Sequence, residues 1–160
     1  MKRLNRIYRE QIVDANISEV WNFFSDPKNL NKITPNYLNF RILTENLPSE
    51  IFQGLIIEYK VSPFLKINFH WVTEITSVKK FEYFIDEQRF GPYKFWHHLH
   101  TFEPVGENRV KIVDLVHYLP PYGIIGKLAN YFVIYPRLND IFNYRAKVIE
   151  SLCSVQLGEK

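Results

Sequence analysis

Between Tyr37 and Tyr118 apolar residues return at every second position, and beyond Gly123 they return at every third or fourth. The first period is that of a half-buried strand, the second that of a helix laid against a core. The two-residue period predicts strands over Tyr37 to Thr44, Leu55 to Ser62, Lys66 to Thr76, Phe81 to Glu87, Lys94 to Glu103 and Arg109 to Tyr118. Pro48-Ser49, Ser62-Pro63, Val78-Lys79-Lys80, Gly91-Pro92 and Gly106-Glu107-Asn108 separate them. Connections this short join antiparallel neighbours, so the segment reads as a meander. Ahead of it, Ile7 to Val13 reads as a first strand. Asn16-Ile17-Ser18-Glu19 then offers helix-start chemistry, because Asn and Ser oxygens accept the unpaired N–H groups of a first turn. Val20, Trp21, Phe23 and Phe24 supply the apolar face of a short helix that ends by Asp26-Pro27. A second short helix is expected from about Pro27 to Ile33, with Pro35 as its stop.

After Leu119-Pro120-Pro121-Tyr122-Gly123 the helical period sets in. Leu128, Phe132, Tyr135, Leu138, Ile141, Phe142, Arg145, Val148, Ile149 and Leu152 fall near i, i+3, i+4 spacing. Pro136 lies inside this run and is expected to kink or restart the helix. A twisted antiparallel sheet with one apolar face needs a cover, and a helix of about 30 residues reaches roughly 45 Å. The predicted architecture is α+β and spans 1–160 as a single domain. A curved antiparallel sheet of about seven strands wraps a long C-terminal helix, with two short helices after the first strand.

Composition narrows the function classes. With 46% apolar and 23% charged residues the chain is globular, which sets aside disorder, collagen and coiled coil. Aromatics are the surplus: 13 Phe, 10 Tyr and 3 Trp either fill a core densely or line an internal hollow. A net charge of +3 lacks the concentrated basic stripe of a nucleic-acid binder, so none is expected as a partner. Lys2, Arg3, Arg6 and Arg9 form the one basic cluster and read as a solvated strand entrance. Cys153 is the single cysteine, which excludes an intramolecular disulfide. No apolar run approaches the roughly 20 residues that span a bilayer, and no h-region follows the N-terminal charge. Stable membrane insertion is not expected, and a cytoplasmic location is the default. Neither phosphate-binding glycine motif is present around Gly123 and Gly126.

The element order, the opening Val20-Trp21-Asn22-Phe23-Phe24-Ser25-Asp26-Pro27 and the closing helix resemble the START/Bet v 1-like superfamily. More narrowly, the chain resembles bacterial ligand-binding SRPBCC proteins akin to polyketide cyclase/dehydrase members. That match rests on Asn29-Leu30 through Ile33-Thr34-Pro35, Asp86-Glu87-Gln88 through Gly91-Pro92-Tyr93, and Trp96-His97-His98-Leu99-His100-Thr101-Phe102. Asp114-Leu115-Val116-His117-Tyr118-Leu119-Pro120 and Phe142-Asn143-Tyr144-Arg145 support it. The resemblance implies a helix-grip fold with an internal cavity for a small hydrophobic molecule: a lipid, a polyketide-like compound or an aromatic metabolite. It does not separate carriers from enzymes, because one scaffold hosts both.

The densest polar cluster is His97, His98 and His100. Two imidazoles two residues apart on one strand face can bind a metal or move protons. A metal needs a third or fourth ligand, and no His/Cys spacing supplies one, so neither a metal nor any other cofactor is expected. Asp86, Gln88 and Asp114 lie on neighbouring strands. A carboxylate in register with His98 or His100 would orient the ring, and with Tyr118 as oxyanion donor the set could perform acid–base work on a carbonyl compound. The same groups would equally make a satisfied buried network that fixes register. Candidate lining residues are Phe69, Trp71, Trp96, Phe102 and Tyr118 on strands and Leu128, Phe132, Tyr135 and Phe142 on the closing helix. Arg145 can grip a ligand anion or pair with Asp86 or Asp114. The loops Pro63-Phe64-Leu65, Phe90-Gly91-Pro92-Tyr93 and Tyr122 to Ile125 are candidates for a cavity rim. Carriage of a small hydrophobic ligand is the leading function, a cyclase, dehydratase or isomerase the alternative; a protein partner is not indicated.

Which face looks inward decides where these groups go. Hydropathy hardly separates Trp96, His98, His100, Phe102, Ile112, Asp114, Val116 and Tyr118 from the odd-numbered set. Stranding the even-numbered apolar residues in water would forfeit about 25 cal/mol per Å². The even set is therefore expected to face the helix, with His98 and His100 buried and His97 more exposed.

Overall fold

A computed structural model describes residues 4–64 and 67–158, without the side chains of residues 63, 64 and 154–158. Leu65 of the expected rim loop, the Lys66 start of one expected strand, and Lys2 and Arg3 of the basic cluster lie outside the described residues. One sheet contains β1 (Asn5–Val13), β2 (Arg41–Ile42), β3 (Ile56–Phe64), β4 (Ile67–Lys79), β5 (Tyr83–Phe90), β6 (Phe95–Pro104) and β7 (Val110–Leu119). Its order is β1-β7-β6-β5-β4-β3-β2, with every neighbouring pair antiparallel. Strands β2 to β7 form the expected meander, and β1 pairs with β7 at the far edge. Register shifts between Val72 and Thr73 and between Ile75 and Ser77 mark irregularities on β4, and such bulges bend and twist a sheet.

Helix α1 (Ile17–Ser25) begins with a capping box. The Asn16 side chain accepts the Glu19 N–H at 3.0 Å, and the Glu19 carboxylate accepts the Asn16 N–H at 3.0 Å. Asn16→Ala is expected to cost about 1 kcal/mol, read as a lower urea midpoint at unchanged slope. The indole of Trp21, fully buried, donates to Glu50 Oε1 at 2.8 Å and meets Phe102 edge-on.

Two expectations need correction. The second short helix is a 3-10 stretch over Pro27–Asn31 and stops short of Ile33. The strand expected over Tyr37 to Thr44 shrinks to β2, preceded by a 3-10 turn at Asn36–Leu38. Asn39 ends that turn at φ 46°, a left-handed conformation that Asn tolerates and strands do not contain.

The closing helix has three parts: α2 (Gly123–Ala129), a π-helical turn (Asn130–Ile134) and α3 (Tyr135–Gly158). Pro136 has no N–H for the Phe132 carbonyl, and the wide turn sits immediately before it. The Tyr135 N–H instead reaches back five residues to Asn130 O. An i→i+5 turn puts the residues before it out of phase with those after it. Ile134, Leu138, Phe142 and Ile149 are buried, whereas Leu128 and Phe132 face water, the latter at 70% exposure. Tyr122, Ile124, Ile125 and Tyr131 are also exposed. No helix among the described residues is long and apolar enough to cross a membrane.

The even-numbered face of β6 and β7 is buried throughout, from Trp96 to Phe102 and from Ile112 to Tyr118. Phe95 is 40% exposed while His98 and His100 are 4% and 2% exposed, as the parity argument expects.

Candidate functional site

The inward face of the sheet and the stripe of α3 enclose a cavity of about 200 Å³ that is partly open to solvent. The sheet lines it with Ile57, Tyr59, Trp71, Thr73, Phe84 and Trp96 among others, and α3 with Leu138, Ile141, Phe142 and Arg145. Phe24 of α1 and the stretch from Asn29 to Phe40 complete the wall. Most of this surface is apolar, which suits an apolar occupant.

One polar cluster interrupts it, and sheet register builds that cluster. Asp86 on β5 pairs with His98, and Asp114 on β7 pairs with His100. Alternation puts all four side chains on the inward face. The imidazoles lie side by side, ring centres 3.7 Å apart. Asp86 Oδ2 stands 2.8 Å from His100 Nε2 and 3.4 Å from His98 Nδ1. Asp114 Oδ1 stands 2.9 Å from His98 Nε2, and also 2.9 Å from His100 Nδ1, though there without hydrogen-bond direction. Arg145 reaches from α3 to within 3.5 Å of the same Asp114 oxygen, its guanidinium 5.4 Å from the Phe24 ring centre. Phe84 stacks on the outer face of His100, and Phe142 meets His98 edge-on.

The electrostatics follow from burial and proximity. Burial and the neighbouring charge of His100 push His98 down to about 4, more than the carboxylates restore. For His100 burial also opposes charge, but the adjacent Asp114 carboxylate and the hydrogen bond to Asp86 outweigh it and raise the pKa. Burial opposes the Asp114 carboxylate, yet Arg145 and the two histidines hold it well below the usual range. Asp86 is lowered too, its burial outweighed by His98, His100 and Arg145. Burial thus favours the neutral ring at His98, the carboxylate contacts favour the charged ring at His100, and both carboxylates are held in their ionised form.

Of the residues singled out from sequence, Trp71, Asp86, Trp96, His98, His100, Phe142 and Arg145 border the cavity, and Asp114 lies directly behind the imidazoles. The others do not line it. Phe102 packs on Trp21 and Phe24 in the core beside it. Tyr118 is fully buried and donates to Asn130 Oδ1 at 2.8 Å, so its hydroxyl is engaged away from the histidines. Phe69 is half-buried outside the lining. Phe132 and Tyr135 face water because the π turn shifts the helical phase. Gln88 braces a loop instead: its amide donates to Tyr93 O at 2.7 Å and accepts the Tyr93 N–H at 3.2 Å. A Cβ on Gly91 would stand 2.5 Å from Gln88 Oε1, so this clamp requires glycine there. Of the expected rim loops, Tyr93 reaches the cavity, whereas Tyr122 to Ile125 do not.

Phe24, Tyr59 and Thr73 line the cavity without having been expected there. Phe24 sits inside a stretch that carries the family resemblance, its one available signal. Tyr59 shares a hydrogen bond of 2.8 Å with Thr73, two strands from the histidines, and nothing local to either residue marks it. The Trp71 indole N–H and the Arg145 Nε are buried without a hydrogen-bond partner among the described residues. Both residues border the cavity.

A family model described as polyketide cyclase / dehydrase and lipid transport matches residues 13–133. Among curated proteins none matches this sequence. Solved structures share the fold at low identity. A Streptomyces sp. R1128 aromatase/cyclase is 12% identical over 94% of this chain and 96% of its own, at TM-score 0.69. A norcoclaurine synthase mutant of Thalictrum flavum, in complex with a transition-state analogue, is 15% identical over 96% of each chain, at TM-score 0.69. A START superfamily protein of Mycobacterium smegmatis is 9% identical over 94% of this chain and 98% of its own, at TM-score 0.62.

Proposed function

The chain belongs to the polyketide cyclase / dehydrase and lipid transport family, and from that premise we propose that it binds a small, mostly apolar molecule between sheet and closing helix. The observation that carries this reading is the cavity itself. At about 200 Å³ it exceeds the ~150 Å³ that accommodates one benzene, and it falls below the ~300–1,000 Å³ of drug-sized sites. The occupant is a compound of roughly one or two rings, or the end of a longer chain. The unpartnered Trp71 N–H and the Arg145 guanidinium favour an acceptor on the ligand, such as a carbonyl, phenol or carboxylate oxygen.

The test is a thermal-shift panel of aromatic and short acyl compounds on chelator-treated protein, with native mass spectrometry of the hits. A ligand at about 100 times its Kd adds about 2.7 kcal/mol, a rise of roughly 5–10 °C for a chain of this size. Ile141→Trp, which places an indole in the cavity from a half-buried helix position, should abolish the shift while leaving the protein folded. No shift with any compound, or a shift that survives Ile141→Trp, argues against the reading.

The buried His98–His100 pair facing the cavity favours a second reading, catalysis on an enclosed carbonyl compound. Neutral His98 would be the base. Tyr118 is not available as oxyanion donor, and Arg145 is the cation at the cavity wall. His98→Gln would then retain ligand binding and lose conversion of the bound compound; retained conversion would exclude His98 from the chemistry.

A further inference from the structure

We infer that Asp86, His98 and His100 form a binding site for one divalent transition-metal ion at the cavity wall. One donor atom from each residue falls within a 4.8 Å cluster. Asp86 Oδ2 is 2.8 Å from His100 Nε2 and 3.4 Å from His98 Nδ1. A tetrahedral ion with bonds of about 2.0–2.1 Å spaces its ligand atoms about 3.3–3.4 Å apart. Of the three donor pairs one already matches, one needs to open by about half an ångström, and the His98–His100 pair lies within 4.8 Å. Two imidazoles and one carboxylate, with the remaining positions open, form a donor set used for zinc and non-haem iron.

Two further features distinguish this cluster from a chance meeting of polar groups. Metal-bound histidines direct their second ring nitrogen to a carboxylate, which fixes the ring. Here His98 Nε2 shares a hydrogen bond of 2.9 Å with Asp114 Oδ1, His100 Nδ1 lies at the same distance from that oxygen without hydrogen-bond direction, and Arg145 stands behind it. The three donor residues also border the cavity whereas Asp114 does not. The open coordination positions thus face the space where a ligand oxygen or water would sit. Asp114 is a positioning residue for both rings. Both imidazoles are buried and Asp86 is half-buried, which limits the competition from bulk water that weakens exposed His/Asp clusters.

Zn²⁺ and Co²⁺ alone are the probes, so the result does not depend on whether an organic ligand binds. Chelator-stripped protein is titrated calorimetrically, and with Co²⁺ by visible absorption. Uptake of one ion per chain is expected. Asp86→Asn, His98→Gln and His100→Gln should each lose it, and Asp114→Asn should weaken it roughly 10–100-fold. Circular dichroism checks that each variant is folded. For any that is not, the wild-type Co²⁺ protein serves: strongly shifted NMR signals from the ring protons of two histidines are expected. Absence of saturable uptake at micromolar ion overturns the site. So does stoichiometric uptake undiminished in both folded histidine variants, which would place the ion on a surface pair such as His70–Glu58 or His97–Glu87.

Discussion

Asp114→Ala is expected to destabilise the chelator-treated protein by about 3–5 kcal/mol, among the largest losses available to a single polar substitution. Asp114 is 7% exposed and holds both imidazoles and the Arg145 guanidinium through one oxygen. Among the described residues, removing the carboxylate leaves His100 with Asp86 as its one carboxylate partner and leaves Arg145 with no carboxylate at ion-pair distance. The lost attraction is the smaller part; the larger is the desolvation penalty of cations that remain buried. For a chain of this size the melting temperature should fall by on the order of 10 °C. Asp114→Asn keeps an acceptor oxygen for His98 and should lose less. Exposed pairs such as Lys79–Glu82 should cost at most about 1 kcal/mol when broken. Urea unfolding of the three variants checks the order. If Asp114→Ala loses under about 1 kcal/mol, the cations it faces are solvated and the cluster is not a closed electrostatic unit.

How much of this was visible beforehand depends on the range of the signal. Periodicity is local, so six of the seven strands and the closing helix were legible from alternation and turn residues. Burial parity on β6 was legible too, because only one choice kept Trp96, Phe102, Val116 and Tyr118 out of water. The site was half legible. His98 and His100 stand out as a two-residue repeat, but their carboxylates come from β5 and β7, and only register decides that both point at the rings. A search for His/Cys spacing within one segment does not see Asp86, which register alone brings beside both imidazoles. The errors on the helix have a different origin. Leu128, Phe132 and Tyr135 fit a 3.6-residue stripe, and the π turn before Pro136 breaks its phase, a backbone event the spacing of apolar residues does not record. Tyr118 faces inward as expected, yet Asn130 on that same turn accepts the hydrogen bond its hydroxyl donates. Tyr37 to Thr44 failed because Pro35, Asn36 and Asn39 favour turns more strongly than the intervening aromatics favour a strand.

Stability of the chelator-treated protein should fall as the pH drops from about 6.5 towards 4. His98 is held down to about 4 in the folded chain by burial and by the His100 charge, against an ordinary value of 6.5. Across that window the unfolded chain binds the proton and the folded chain does not, so each step down in pH favours unfolding. The shift corresponds to about 3 kcal/mol once pH 4 is reached. Asp86 and Asp114, both lowered, add to the loss below the ordinary carboxylate value of 3.8. His100 carries the opposite sign. Its raised value means that its contribution is complete below pH 6.5 and fades as the pH rises through the folded value. The stability curve should therefore bend down on both sides, with the steeper limb on the acid side. Urea midpoints at pH 7, 5.5 and 4.5 measure the acid limb, with constant slope as the check for two-state unfolding. His98→Gln removes the group that titrates first and should flatten the interval from 6.5 to 4.5 while leaving the fall below it. An acid limb equally steep in His98→Gln would assign the loss to other groups and show that His98 is not held neutral by its surroundings.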